Sequence, residues 1–155
     1  MTAFPRTALF GAALALLAPA QKPDLLIGTW KLNVGKSTYS PGPPPTSTMV
    51  TFETVEGSTK VTAVSVDAQG NRTEVVYTAK YDGKDYPVTG SSDYDTVSMK
   101  RLDARTVESI RKKSGKVVQT VHRVVAEDGK SYTSRAKGTN AKGQPTSIVA
   151  LFEKQ

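Results

Sequence analysis

Asp67-Ala68-Gln69-Gly70-Asn71-Arg72-Thr73-Glu74-Val75-Val76-Tyr77-Thr78-Ala79-Lys80-Tyr81-Asp82-Gly83-Lys84 holds one complete strand between two turns. Between its glycine-centred turn signals, Val75, Tyr77, Ala79 and Tyr81 fall on one side of an extended chain, and Arg72, Glu74, Thr78 and Lys80 on the other. Successive side chains of a strand point to opposite faces, so this period of two marks a strand with one dry face. The turns supply what short hairpin loops demand. Glycine takes positive φ without steric penalty, and β-branched neighbours suit a pleated surface.

The same unit recurs along the chain. Ser114-Gly115-Lys116, Glu127-Asp128-Gly129-Lys130 and Lys142-Gly143-Gln144 each stand between runs rich in Val, Thr and Tyr. Strands are predicted over 28–33, 46–55, 59–67, 72–81, 84–88, 96–102, 106–113, 117–126, 131–138 and 146–153. Helix signals are nearly absent beyond residue 20, and the connections are short, as consecutive antiparallel neighbours require. A meander of about 8–10 strands with one dry face must curl until its edges meet or fold into a sandwich. The expected fold is therefore all-β, a single up-and-down antiparallel barrel.

The dry face is not uniformly apolar. Val97 and Met99 align with Arg101, Val121 and Val125 with Gln119 and Arg123, and Ile148 and Phe152 with Ala150. Polar residues recurring there suit an enclosed cavity better than a solid core. Arg111 and Arg123 stand out, because a buried guanidinium is costly unless a carboxylate or an acidic ligand meets it. The plainer alternatives are a mistaken face or an arginine snorkelling from the rim.

Residues 1–20 belong to another physical class, with Arg6 as the only charge, an apolar run from Ala8 to Leu17, and Ala18-Pro19-Ala20 before polar Gln21-Lys22. An apolar core of about ten residues is too short to cross roughly 30 Å of hydrocarbon, and small residues occupy the positions read by signal peptidase. The expectation is a cleaved signal peptide at 1–20, one domain over 21–155, and export to the periplasm or the extracellular space. No later segment is apolar enough to span a membrane. There is no cysteine, which excludes a lipid-modified lipoprotein and removes disulfides, so packing alone must hold the domain. The net charge of +7 is spread among strands. Its densest cluster, Arg111-Lys112-Lys113-Ser114-Gly115-Lys116, lies at a turn and reads as a solvated edge; no nucleic-acid partner is expected. Ser40-Pro41-Gly42-Pro43-Pro44-Pro45 reads as a stiff polyproline II connector across a surface or over an opening.

Gly28-Thr29-Trp30-Lys31-Leu32 at the first strand, the meander after it, and Leu151-Phe152-Glu153-Lys154-Gln155 at the end resemble the calycin superfamily, the lipocalins and intracellular fatty-acid-binding proteins. The chain looks like a secreted bacterial-type, lipocalin-like domain of unassigned ligand. The resemblance implies that Trp30 closes the base of the barrel, and Arg123 resembles a buried arginine of the fatty-acid-binding proteins. Two departures stand beside it. The Arg-x-Tyr clamp of their last strand is matched here by Ala150-Leu151-Phe152, and the proline-rich connector replaces their two-helix lid.

Enzyme readings find little support. One histidine, His122, and no cysteine leave no multi-ligand zinc cage, no thiol nucleophile and no supported Ser-His-Asp triad. Gly35-Lys36-Ser37 imitates the end of a phosphate loop without its spacing, and Asp82, Asp85, Asp93 and Asp95 read as turn caps more than a calcium site. His122 could serve as a single haem ligand; a half-exposed strand histidine is the plainer reading, and no cofactor or metal is expected. The expected function is a non-enzymatic binding module for a small apolar or amphipathic molecule. Val75, Tyr77, Tyr81, Met99 and Phe152 would form the wall, with Arg111 or Arg123 orienting an acidic head. The rival is a packed barrel that contacts a protein partner. The residues favour neither a monomer nor a dimer.

Overall fold

Gly70, Gly83, Gly115, Gly129 and Gly143 all take positive φ, from 70° to 84°. The chain reverses at each as the turn signals require. The computed structural model describes residues 22–155 together with Ala15, so the expected signal peptide lies outside the described residues. The strands are β1 (Gly28–Ser40), β2 (Ser47–Val55), β3 (Ser58–Val66), β4 (Arg72–Ala79), β5 (Tyr86–Thr89), β6 (Thr96–Arg101), β7 (Thr106–Lys113), β8 (Lys116–Val125), β9 (Ser131–Thr139) and β10 (Pro145–Lys154). Each pairs antiparallel with its sequence neighbours, and β1 pairs with β10, closing a ten-stranded barrel. Closure within one chain leaves no open sheet edge among the described residues. Among the described residues no helix is long and apolar enough to cross a membrane.

β1 runs further than the sequence indicates. Its lower part pairs with both β2 and β10, then the register breaks between Asn33 and Thr38 before pairing with β10 resumes to Ser40. Ser37 stitches the break: its hydroxyl donates to the Asn33 carbonyl at 2.7 Å and accepts from the Leu151 amide at 3.0 Å. The Gly35-Lys36-Ser37 string is thus part of a bulge. The proline-rich connector bends at Pro41 and Gly42, so it is not one continuous polyproline II run. Its last residue, Pro45, reaches the barrel's cavity.

β8 carries a second irregularity. Arg111 pairs with Gln119 but Lys112 pairs with Val117, leaving Val118 as the extra residue of a bulge. Across on β9, a Cβ at Gly138 would meet the Val118 carbonyl at 1.8 Å. Only glycine fits there.

One end of the barrel, here the base, is solid. Trp30, Phe52, Tyr132 and Phe152 form an aromatic layer: Tyr132 stacks on Phe152 at 4.8 Å and meets Trp30 edge-on at 4.9 Å. Leu26, on the turn before β1, seals it from below and accepts a hydrogen bond from Trp30 Nε1 at 2.7 Å. Val61, Ala79, Met99, Val107 and Val125 complete the packing. Beside that turn, Asp24 gathers the Tyr81 hydroxyl at 2.5 Å, the Leu26 amide at 3.0 Å and the Arg101 guanidinium at 3.2 Å.

Candidate ligand-binding site

Above the aromatic layer the inward side chains turn small and polar, and the packing opens. A cavity of about 220 Å³ lies there. Its lining combines the apolar surfaces of Val50, Val121, Ile148 and Phe152 with the hydroxyls of Thr48, Ser65, Tyr132 and Ser134. Into it come two arginines, Arg111 from β7 and Arg123 from β8. A second, outer chamber of about 200 Å³ adjoins it toward the mouth; Arg111 and Ile148 line both.

Strand alternation carries Arg123 inward. Val121, Arg123 and Val125 are all buried while the residues between them are not. Arg123 is 5% exposed, donates from Nη1 to the Ser109 hydroxyl at 2.8 Å, and lies 5.8 Å from the Phe52 ring centre. Arg111 donates from Nη1 to Gln119 Oε1 at 2.6 Å and packs over the Tyr94 ring at 4.6 Å, and its Nε is buried without a partner. Among the described residues neither guanidinium has a carboxylate within ion-pair distance. Among the described residues two further polar atoms are buried and unpartnered, the Tyr77 hydroxyl and the Thr146 hydroxyl, the latter lining the outer chamber.

The surroundings keep the tyrosines protonated. Burial pushes the phenols of Tyr132, Tyr94 and Tyr39 above their ordinary value of 10.0, so near neutral pH they are uncharged and able to donate hydrogen bonds. The chamber is therefore cationic, supplied with neutral donors and acceptors, and apolar on one side. Its chemical complement is an anion on an apolar body.

Of the expected site residues, the wall residue Phe152 and both candidate head-group arginines, Arg111 and Arg123, meet at this cavity. Tyr77 is buried on β4 with its unpartnered hydroxyl, and Val75 packs beside it against the core. Met99 is 1% exposed and belongs to the solid base. Tyr81 lies elsewhere: β4 ends at Ala79, so the alternation does not continue, and Tyr81 swings to Asp24 and Arg101 at the base. Arg101, expected to align with Val97 and Met99, belongs to that same cluster. His122 is on the outer face, half-exposed, with Nε2 at 2.9 Å from Glu108, away from the interior. Asp82 caps its own turn through the Lys84 amide, Asp95 accepts from the Ser114 amide, and Asp85 pairs with Lys112.

Sequence reasoning passes over Tyr132, Ser109, Ser134 and Tyr94 as site residues. The alternation Tyr132, Ser134, Ala136, Gly138 is a period-two face, but its hydroxyls and glycine give almost no hydrophobic signal.

No protein-family model matches the chain, and no curated protein matches it significantly in sequence. Among solved structures, the fold is similar to that of the zebrafish ileal bile acid-binding protein complexed with cholic acid. The TM-score is 0.51 and the identity 8%, over 84% of this chain and 99% of that one. The likeness is one of architecture alone, here a closed antiparallel barrel of ten strands.

Proposed function

We propose that the chain is an exported, non-enzymatic binding protein that holds a small amphipathic acid in the upper half of its barrel. One observation carries this reading: two guanidiniums enter a single internal cavity with no carboxylate to meet them among the described residues. Arg123 is buried and Arg111 half-buried, each with a neutral hydrogen-bond partner but no counter-charge, and a bound anion supplies it. That a protein of the same architecture is complexed with cholic acid supports an acidic ligand. Export rests on the sequence of residues 1–20.

A specific observation favours the packed-barrel reading as the second choice. The inner cavity, about 220 Å³, is below the roughly 300–1,000 Å³ common for small-molecule pockets. A thermal-shift panel of carboxylates from short to long, with cholate included, separates the two. Binding at a hundredfold excess over Kd stabilises the fold by about 2.7 kcal/mol, and Arg111→Ala abolishes that shift. No shift with any acid supports the packed module.

A further inference from the structure

Given the binding reading above, on which this inference rests, two cations in one chamber constrain the ligand's charge as well as its place. Ser109 and Arg111 stand two positions apart on β7, and the Ser109 hydroxyl is the group that holds Arg123. Two residues along a strand span about 7 Å. The arginines are thus anchored at successive levels of the barrel, Arg123 next to the aromatic layer and Arg111 at the junction of the two chambers.

A monoanion placed here satisfies one level and leaves the other guanidinium without a counter-charge, whether Arg123 in the buried interior or Arg111, half-buried, at the junction of the chambers. Asp93 lines the outer chamber but makes no ion pair with Arg111. Size sets a second limit. At ~30 Å³ per water, the inner chamber of about 220 Å³ and the adjoining one of about 200 Å³ together take about fourteen water-sized groups. A long alkyl chain does not fit.

We infer that the ligand is a compact organic dianion, with two negative charges on a short apolar body that bridges Arg123 and Arg111. The apolar body meets Phe152, Ile148 and Val121, and the buried Nε of Arg111 gains the acceptor it lacks. Two chemistries provide the double charge: two carboxylates on one chain, or a single phosphate ester.

Isothermal titration calorimetry of the whole purified protein at low ionic strength, with octanoate, octanedioate, phenyl phosphate and hexadecanoate, tests this. At least one dianion is expected to bind about tenfold more tightly than octanoate. Octanedioate leading assigns separate acidic groups to the two arginines; phenyl phosphate leading assigns one doubly charged head between them. In Arg111→Met the preference shrinks to within about threefold, since only one cation remains. If that variant does not fold, salt gives an independent reading on the wild-type protein. The affinity of the dianion falls more steeply with ionic strength than that of octanoate. Octanoate or hexadecanoate binding as tightly as either dianion overturns the dianion and leaves acid binding standing. No binding of any of the four overturns both.

Discussion

Replacing Arg123 with methionine keeps a long flexible stem and removes the charge, and the structure gives the sign of the result. The guanidinium is 5% exposed and holds one hydrogen bond, to the Ser109 hydroxyl at 2.8 Å. A hydrogen bond to a charged group contributes about 1.5–3 kcal/mol. The Phe52 contact at 5.8 Å lies near the outer limit of cation–π attraction and adds about 0.5 kcal/mol. Against these stands the desolvation of a cation with no carboxylate in reach, several kcal/mol for a buried ion. Replacing even a buried ion pair by apolar residues of similar volume is often neutral or stabilising by about 1–4 kcal/mol, and a cation with no counter-charge has less attraction to lose. The ligand-free Arg123→Met barrel is therefore expected to gain about 1–2 kcal/mol, or about 3–6 °C in Tm. Affinity for carboxylate ligands falls by more than about tenfold at the same time. Urea unfolding without ligand, paired with calorimetric titration, reads both quantities. A loss of more than about 1 kcal/mol of stability with affinity intact would make the guanidinium a structural member and remove its role in binding.

Gly138→Ala drives a methyl group to within 1.8 Å of the Val118 carbonyl, and the two backbones cannot part without breaking the β8 bulge; unfolding midpoints should show a loss of about 3 kcal/mol or no folded protein. Tyr81→Phe removes the 2.5 Å hydrogen bond to Asp24 at the base, lowering stability by about 1–2 kcal/mol by urea unfolding. Ligand affinity should be unchanged, because the aromatic layer separates that end from the cavity. At alkaline pH, the raised values of Tyr132, Tyr94 and Tyr39 reflect burial first, so their neutral forms belong to the fold. The stability they contribute is complete below the ordinary value of 10.0 and is lost as the pH rises beyond it and the unfolded chain ionises. Ultraviolet absorbance should show these tyrosines ionising together with loss of the barrel; independent titration near 10.0 with the fold intact would contradict the burial.

The barrel is legible in the sequence because its signals are local. Turn glycines and two-residue alternation specify hairpins, and consecutive hairpins leave few topologies. Counting from Val121 and Val125 places Arg123 on the inner face, where the structure has it. The features that escape such counting depend on distant partners. The continuation of β1 past Asn33 rests on Ser37 meeting Leu151, a contact between opposite ends of the chain. The base plug at Asp24 and Leu26 has no periodicity at all and is held by Tyr81, Arg101 and Trp30. Alternation carried two residues past the end of β4 at Ala79 draws Tyr81 into the wall, where it does not belong. Met99 and Tyr132 show the remaining difficulty. Alternation tells which face a residue takes, but not whether the barrel is solid or open at its level.

Whether the barrel carries an acid is read most simply by mass spectrometry of the protein purified without detergent, run native and then denatured. A stoichiometric small acid is expected, released on denaturation and absent from Arg111→Ala and Arg123→Ala. An apo mass in the native spectrum, with no uptake from a mixture of short organic acids, would contradict the binding function.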